Sequence, residues 1–423
     1  MKHRKTSSTG HDTHPRRKRL FPSHDTLLLP LILLLLSLQG CLGIGINTGS
    51  GTGSGFKVIH RDARTQQVIS INQSSPSFHG SLYFTQGRNL YVLDSKGQLR
   101  QLSSGADVRD PAVSPDGKYV AAIIHYKNYS DLVYMPTSGG SWNILRSGAG
   151  HFYQDGSVVK NTFYWYAQPE WSQDGSHLLF LSDFEKEKWY SATNQDAPLL
   201  DLQVFSIPFN TPTATPQDVA YADFGDGGNR DASYRPGHSD QIIYTHYTYD
   251  KTGTNQVIQL FFENANAIAN TPGTYHPGIE GSGLDPAVPL SPTSTENIQP
   301  AFSPDGNALA YVRRDSNGQV SLYVMSLPTQ DVTATPNDPK VQQDALVPYQ
   351  HSSLLLTQDA MGQPVWSPDG KEIAFLCYSN NEYNLWLTQV AYNNKTNTYS
   401  IQGQPVQLTA GGLDGDSRPF WTL

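Results

Sequence analysis

The sequence predicts an all-β protein, a β-propeller of four-stranded blades, and three observations carry that prediction. A phrase of apolar alternation around a tight turn recurs along the chain, as in Gln363-Pro364-Val365-Trp366-Ser367-Pro368-Asp369-Gly370-Lys371-Glu372-Ile373-Ala374-Phe375. From Phe56 onward short strand-like runs are bounded by Gly, Pro, Asn and Asp, and no convincing amphipathic helix interrupts them. The chain then stops at Arg418-Pro419-Phe420-Trp421-Thr422-Leu423, the opening of one more copy with nothing after it.

Residues 1–40 read as a lipoprotein-type signal sequence. Lys2, Arg4, Lys5 and the run Arg16-Arg17-Lys18-Arg19 precede the apolar stretch from Leu27 to Leu38. The stretch ends Leu38-Gln39-Gly40-Cys41, which resembles a bacterial lipobox with Cys41 as the lipid attachment site. The alternative is an uncleaved anchor, because Leu27 to Ile46 is long enough to span a bilayer. Both readings leave the basic end in the cytoplasm and anchor an extracytoplasmic body to the cell membrane. Residues 41–55, with their Gly-Ser-Gly-Thr-Gly-Ser-Gly run, form a flexible tether.

The 423 residues carry a formal charge of −8, unevenly placed. Residues 1–40 hold seven Lys/Arg and two Asp/Glu, so the remainder carries −13. An acidic body without basic runs excludes the cationic footprint that nucleic acid requires. Of the two cysteines, Cys41 belongs to the leader and Cys377 sits in an apolar strand run as a small buried hydrophobe. No disulfide framework is implied.

The domain from 56 to 423 is read blade by blade. Copies of the phrase occur at Asp110 to Gly117 and Gln299 to Gly306, a looser one at Gln168 to Gly175, and a degenerate one at Ala232 to Gly237. Ser75-Pro76-Ser77-Phe78 reads as the opening strand of a first unit. An orphan final strand needs partners for its backbone groups, and Phe56 to His60 and Gln67 to Ile71 are the expected ones. Joining the termini in one blade closes a ring and gives seven blades, with six as the alternative. The phrase resembles the TolB-type, WD-repeat-like propeller repeat, and the final Pro419-Phe420-Trp421 resembles the closing strand of that family. The resemblance covers Phe56 to Leu423 and implies the architecture. It does not fix an activity, since such propellers serve as binding platforms, as peptidase appendages and as lyases.

Asp116 with Gly117, Asp174 with Gly175, Asp305 with Gly306 and Asp369 with Gly370 occupy turn positions, where aspartate bonds local backbone and glycine takes positive φ. They are expected to be structural, with no metal site and no cofactor. Trp171, Phe302, Trp366 and Trp421 share one repeat position and read as inter-blade core. No Gly-x-Ser-x-Gly elbow, His-Glu-x-x-His or phosphate loop occurs, so no catalytic residue is assigned.

Function is sought instead on connections carried by the scaffold. In a four-strand blade the B–C and D–A connections emerge on one face and the A–B and C–D connections on the other. The D–A connection Ser147 to Ala167 and the B–C connection Asp183 to Leu200 share the first face. Phe152, Tyr153, Tyr164, Trp165, Tyr166, Trp189 and Tyr190 are the expected aromatic binding ledge, unless they pack on one another as a cap. On the other face, Glu263 to Asp285 and Leu327 to Gln350 read as long solvated insertions. The expected protein is a non-enzymatic, membrane-tethered scaffold for an envelope protein or polymer. The alternative is a propeller glycan lyase or hydrolase with a metal held near the channel by histidines such as His238 and His246.

Overall fold

The computed structural model describes residues 56–61, 68–72, 77–155, 158–184, 201–220, 222, 227–238, 240–265, 287–329 and 339–423. The proposed signal sequence, Cys41 and the tether lie outside them. Within the unit spanning 47–423, six four-stranded antiparallel sheets form the blades of a propeller.

Two strands precede the ring, β1 (Phe56–Arg61) and β2 (Val68–Asn72). Blade 1 supplies β3 (Ser81–Gln86), β4 (Asn89–Asp94) and β5 (Leu99–Gln101). Blade 2 is β6 (Asp107–Val113), β7 (Tyr119–His125), β8 (Ser130–Pro136) and β9 (Asn143–Arg146). A separate hairpin, β10 (His151–Asp155) with β11 (Val158–Thr162), then interrupts the D–A connection that the sequence presents as a loop. Blade 3 is β12 (Tyr166–Trp171), β13 (His177–Ser182), β14 (Gln203–Pro208) and β15 (Gln217–Ala220). Blade 4 is β16 (Gly228–Tyr234), β17 (Gln241–Tyr249), β18 (Gln256–Asn264) and β19 (Val288–Pro289). Blade 5 is β20 (Glu296–Phe302), β21 (Ala308–Arg314), β22 (Val320–Ser326) and, after helix α1 (Pro339–Gln350), β23 (Ser353–Gln358). Blade 6 is β24 (Met361–Trp366), β25 (Glu372–Ser379), β26 (Glu382–Asn393) and β27 (Thr398–Gln407). The chain ends with β28 (Thr409–Ala410) and β29 (Phe420–Thr422).

The expectation of seven blades is corrected to six. β29 does not pair with β1 or β2; it pairs with β3, Trp421 opposite Leu82, and becomes the missing strand A of blade 1. Ser77 and Phe78 are accordingly not in a strand. The physical reason is that Pro419-Phe420-Trp421 carries the repeat's own strand A pattern, so it fills that slot. β1 and β2 instead form a small sheet with β28. Ile69 and Ile71 of β2 are buried among Leu82, Tyr91 and Leu93 of blade 1 and Leu376, Leu385 and Leu387 of blade 6. The N-terminal strands therefore wedge the seam between the last blade and the first.

Helix α1 is a second departure. Its Ala345 and Tyr349 lie four residues apart and are buried against Leu327, Val288 and Leu290. The helix is short, polar and contains Pro348, so its sequence carries almost no apolar stripe.

The repeated turns form as their sequence dictates. In blade 2 the Ser114 hydroxyl donates to Asp116 Oδ1 at 2.7 Å, and the Gly117 amide donates to the Ser114 carbonyl at 2.8 Å. Asp174, Asp305 and Asp369 accept from Ser172, Ser303 and Ser367 in the same way, at 2.6, 2.6 and 2.7 Å. Gly117, Gly175, Gly306 and Gly370 follow at φ between 69° and 71°, a region where a side chain would be strained. The tryptophans of the phrase bolt blade to blade: Trp171 Nε1 donates to the Ala112 carbonyl of blade 2 at 3.0 Å, and Trp366 Nε1 to Ala301 of blade 5 at 3.1 Å. Cys377 is buried, its Sγ 3.9 Å from the Tyr378 carbonyl.

Candidate functional site

The residue before the phrase's proline organises the centre of the ring. Asp110, Gln168, Asp231, Gln299 and Gln363 all have positive φ, between 48° and 57°. Each lies in an interruption of the A–B register, for example between Arg109 and Ala112 or between Gly362 and Val365. A bulge at this point redirects one side chain per blade. In blades 2, 3, 5 and 6 the following proline adds a reason, because it disfavours right-handed helical backbone at the residue before it. Such φ values are uncommon for residues other than glycine and persist only where the surroundings hold them.

Here the surroundings are the neighbouring blades. The Arg418 amide of blade 1 donates to Asp110 Oδ1 of blade 2 at 2.9 Å, and the Gln168 amide of blade 3 donates to Asp110 Oδ2 at 3.3 Å. Gln168 Nε2 donates to Asp231 Oδ1 of blade 4 at 2.9 Å, while the Asp231 amide donates back to Gln168 Oε1 at 2.6 Å. Thr245 Oγ1 donates to Asp231 Oδ2 at 3.3 Å and accepts the Gln299 amide of blade 5 at 3.2 Å. Gln299 Oε1 accepts the Gln363 amide of blade 6 at 2.8 Å. This relay passes through all six blades as a polar girdle. Among the described residues it does not continue from Gln363 back to blade 1, and the apolar side chains of β2 pack against both blades at that seam.

At the girdle sits an ion pair that skips a blade. Arg418 Nη2 donates to Glu170 Oε2 of blade 3 at 2.8 Å and to the Pro169 carbonyl at 3.1 Å. Their side chains keep 10% and 20% of their exposure, so the pair is largely desolvated. Burial pushes the carboxyls of Asp110, Glu170 and Asp231 above the usual carboxylate range, and the Arg418 guanidinium pulls each part of the way back.

A second constellation occupies the B–C and D–A face at blades 1 to 3. Arg88 and Arg109 both reach Asp416, with shortest contacts of 2.7 Å, and Arg109 Nε also donates to Asp107 at 3.0 Å. The His125 ring lies 4.7 Å from Trp165. Partial burial and the two arginines push its pKa down. Beyond it, Tyr126 stacks on Tyr129 at 4.5 Å and Tyr129 on Phe163 at 6.0 Å. Tyr126 keeps 39% of its exposure.

This row replaces part of the expected ledge. Tyr164 and Tyr166 are buried in the core between blades 2 and 3, packed with Leu132, Phe180 and Phe205, so neither presents a binding surface. Extended backbone alternates its side chains, and with Tyr164 and Tyr166 inward, Phe163 and Trp165 lie on the other side. Phe152 and Tyr153 belong to hairpin β10–β11, and Trp189 and Tyr190 lie outside the described residues. Tyr126 and Tyr129, in the B–C hairpin of blade 2, were legible as two tyrosines flanking a tight turn.

His246, one of the two histidines named for a metal, is engaged by the fold. His246 is 2% exposed, and its Nδ1 lies 2.7 Å from Asn229 Oδ1. The Asn229 amide nitrogen donates to the Ala220 carbonyl, so Oδ1 faces the ring and His246 Nδ1 carries the proton. Among the described residues no three His, Cys, Asp or Glu side chains converge as a metal would need.

His246 gives a pH prediction. Burial pushes its pKa from 6.5 down to about 4, so between those values the unfolded chain binds a proton that the folded one refuses. Its stabilising contribution is complete above pH 6.5 and is lost as pH falls toward 4, by about 3 kcal/mol at most. Asp110, Asp231 and Glu170 slope the opposite way, so the comparison is with His246→Gln. Urea unfolding at both ends of the window should show a loss on acidification about 2–3 kcal/mol smaller in the variant. Identical losses would mean that His246 is not buried neutral.

No known family profile matches this sequence, and no curated protein matches it. Solved structures do. TolB from Acinetobacter baumannii is 16% identical at a TM-score of 0.50, with 82% of this chain and 67% of that one aligned. An oligogalacturonate lyase in complex with manganese is 13% identical over 81% of this chain and 82% of that one, with a TM-score of 0.42. The oligogalacturonate lyase of Vibrio parahaemolyticus is 14% identical over 82% and 84%, at 0.40. At these identities the likeness to TolB is one of fold, the β-propeller, and the lower-scoring likenesses carry no argument about chemistry.

Proposed function

We propose that the protein is a non-enzymatic binding propeller, held at the outer side of the cell membrane by its N-terminal segment, that docks an envelope protein or polymer. The observation that carries this reading is the row Tyr126, Tyr129, Phe163 and Trp165 on the B–C and D–A face. Aromatic rings that reach solvent beside arginines suit recognition, because they combine apolar area with a few directional polar groups. Asp416 and Asp107 fix Arg88 and Arg109 in place, so the row has a rigid border. A membrane tether at the N-terminus agrees with the basic, then apolar, leader and the glycine-rich segment after it.

Replacing Tyr126 and Tyr129 together by alanine tests the reading. Tyr126 is exposed and Tyr129 half-buried, and their backbone hydrogen bond, the Tyr126 amide to the Tyr129 carbonyl at 2.8 Å, survives the change. Thermal unfolding should barely move. Cosedimentation with fragments of the native envelope should weaken about tenfold, the size of effect expected when an aromatic anchor is truncated. Unchanged sedimentation by a folded variant removes the row from the binding surface.

A further inference from the structure

Three exposed tyrosines recur at one place in the repeat. Tyr126, Tyr249 and Tyr378 keep 39%, 42% and 44% of their exposure, and each stands at or within one residue of the end of a strand B. They belong to blades 2, 4 and 6. In blades 1 and 5 strand B ends instead on Gln86 and Arg314, and the B–C connection of blade 3 lies mostly outside the described residues. Strand B leads into the B–C turn, so all three tyrosines reach the face that carries the aromatic row. Blades 2, 4 and 6 take every second place in a six-bladed ring, and the three side chains therefore form a triangle about the channel mouth.

Each corner is carried on a hairpin whose turn is fixed by its own residues. In blade 2 Tyr126 stacks on Tyr129 across the turn. In blade 4 Asp250 Oδ1 accepts the Thr252 and Thr254 amides, both at 3.1 Å, and the Gly253 amide donates to the Asp250 carbonyl at 2.8 Å. In blade 6 Asn380 and Asn381 turn the chain at φ 53° and 66°, and Tyr378 leans on Tyr383 at 5.0 Å. Hairpins held in this way lose little freedom when a partner arrives. Their charges cancel, Lys127 and Lys251 against Asp250 and Glu382, as do those of Arg88 and Arg109 against Asp107 and Asp416 at the border. The triangle therefore exerts no net pull on a polyelectrolyte or an anionic membrane.

We propose that the B–C and D–A face docks one separate globular protein of low surface charge, seated over the channel mouth with Tyr126, Tyr249 and Tyr378 as its three anchors. This partner presupposes the docking role proposed above and is the protein, not the polymer, of its two alternatives. A single polymer chain lies along a line and touches at most two corners of a triangle, whereas a folded domain covers all three. Asn128, Gly253, Asn255, Ser379 and Asn380 stand between and beside the tyrosines. Tyrosine set among Asn, Ser and Gly is the mixture that antibody loops present to protein surfaces, rigid rings for area and small polar groups for adaptable hydrogen bonds.

Photocrosslinking on fragments of the native envelope tests it. Benzoylphenylalanine, a photoreactive aromatic of similar shape, is placed at Tyr126, Tyr249 and Tyr378 in three separate full-length chains. All three positions should give an adduct of the same added mass, and protease treatment of the fragments beforehand should remove it. Tyr249→Ala and Tyr378→Ala should each weaken cosedimentation with the fragments by about fivefold to tenfold. Their melting should barely move, because both side chains are exposed. Sedimentation that weakens only when Tyr126 and Tyr129 are replaced leaves the aromatic row standing and overturns the triangle. Absence of sedimentation by the wild type removes the docking role and the triangle together. Adducts of different mass at the three positions, an adduct of this chain's own mass, or binding that survives protease would each overturn the single protein partner.

Discussion

Deleting residues 418–423 should abolish cooperative folding. The six residues supply strand A of blade 1, and three separate losses coincide at that strand. Trp421 is 7% exposed, its Nε1 donates to the His79 carbonyl at 2.7 Å, and its ring meets Phe78 edge-on at 5.9 Å. Truncating a buried tryptophan alone costs about 3–5 kcal/mol. Removing Arg418 leaves Glu170 and Asp110 buried without their cation, a loss of about 3–5 kcal/mol for a broken buried pair. The third loss is the ladder to β3, whose exposed edge becomes a template for association. Together these approach the whole stability of an ordinary domain, about 5–15 kcal/mol. The deletion should therefore give no sigmoidal melt, and size-exclusion chromatography should show aggregates. Trp421→Ala alone should stay folded with a clearly lowered melting temperature. A deletion variant that melts within a few degrees of the full chain would mean that the wedge of β2 and β28, not β29, closes the ring.

The blades were legible because their cause is local. Ser367-Pro368-Asp369-Gly370 folds its own turn with its own side chains, and the alternation around it sets the strand faces, so a window of a dozen residues contains the whole argument. The closure was legible only as a need. Pro419-Phe420-Trp421 announces a strand A, but whether its partner is β3 or β1 depends on backbone registers more than 300 residues apart, which no local pattern encodes. The same distance hid the girdle. The recurring Asp or Gln before proline stood in every well-kept copy, at 110, 168, 299 and 363, yet its task is to reach another blade. The ledge was half legible for a different reason. A run of aromatics shows its density but not its phase, and the phase sends Tyr164 and Tyr166 inward while Trp165 meets His125. In blade 4 one departure from the repeat, Arg235, reads as decay of the phrase, yet it stands at contacts that the regular copies do not make.

Arg235 carries the second large expectation. It stands where the regular copies have their turn serine and is 0% exposed, which is rare for an arginine. Its Nε donates to the Gly306 carbonyl of blade 5 at 2.9 Å, its Nη1 to Gln241 Oε1 at 2.8 Å, and its Nη2 to the Pro328 carbonyl, while the guanidinium lies 5.7 Å from the Phe262 ring. One side chain thus ties the A–B turn of blade 4 to two segments of blade 5. The backbones are already in contact there, since a Cβ on Gly306 would fall 2.1 Å from the Pro236 carbonyl oxygen. Arg235→Ala strips two buried acceptors and one part-buried acceptor of their donor and leaves a cavity, and should cost about 4–5 kcal/mol. Arg235→Met restores most of the volume but not the donors, so it should recover part of that loss. Arg235→Lys keeps the charge, but a single ammonium cannot reproduce the planar fork that reaches three acceptors at once, and it should remain destabilised by about 2 kcal/mol or more. Urea unfolding at neutral pH reads all three, with alanine the least stable. If lysine matched the wild type, the contact would be worth only its charge, and the seam between blades 4 and 5 would owe its stability to the apolar packing of Phe262 and Phe302, whose rings lie 6.1 Å apart.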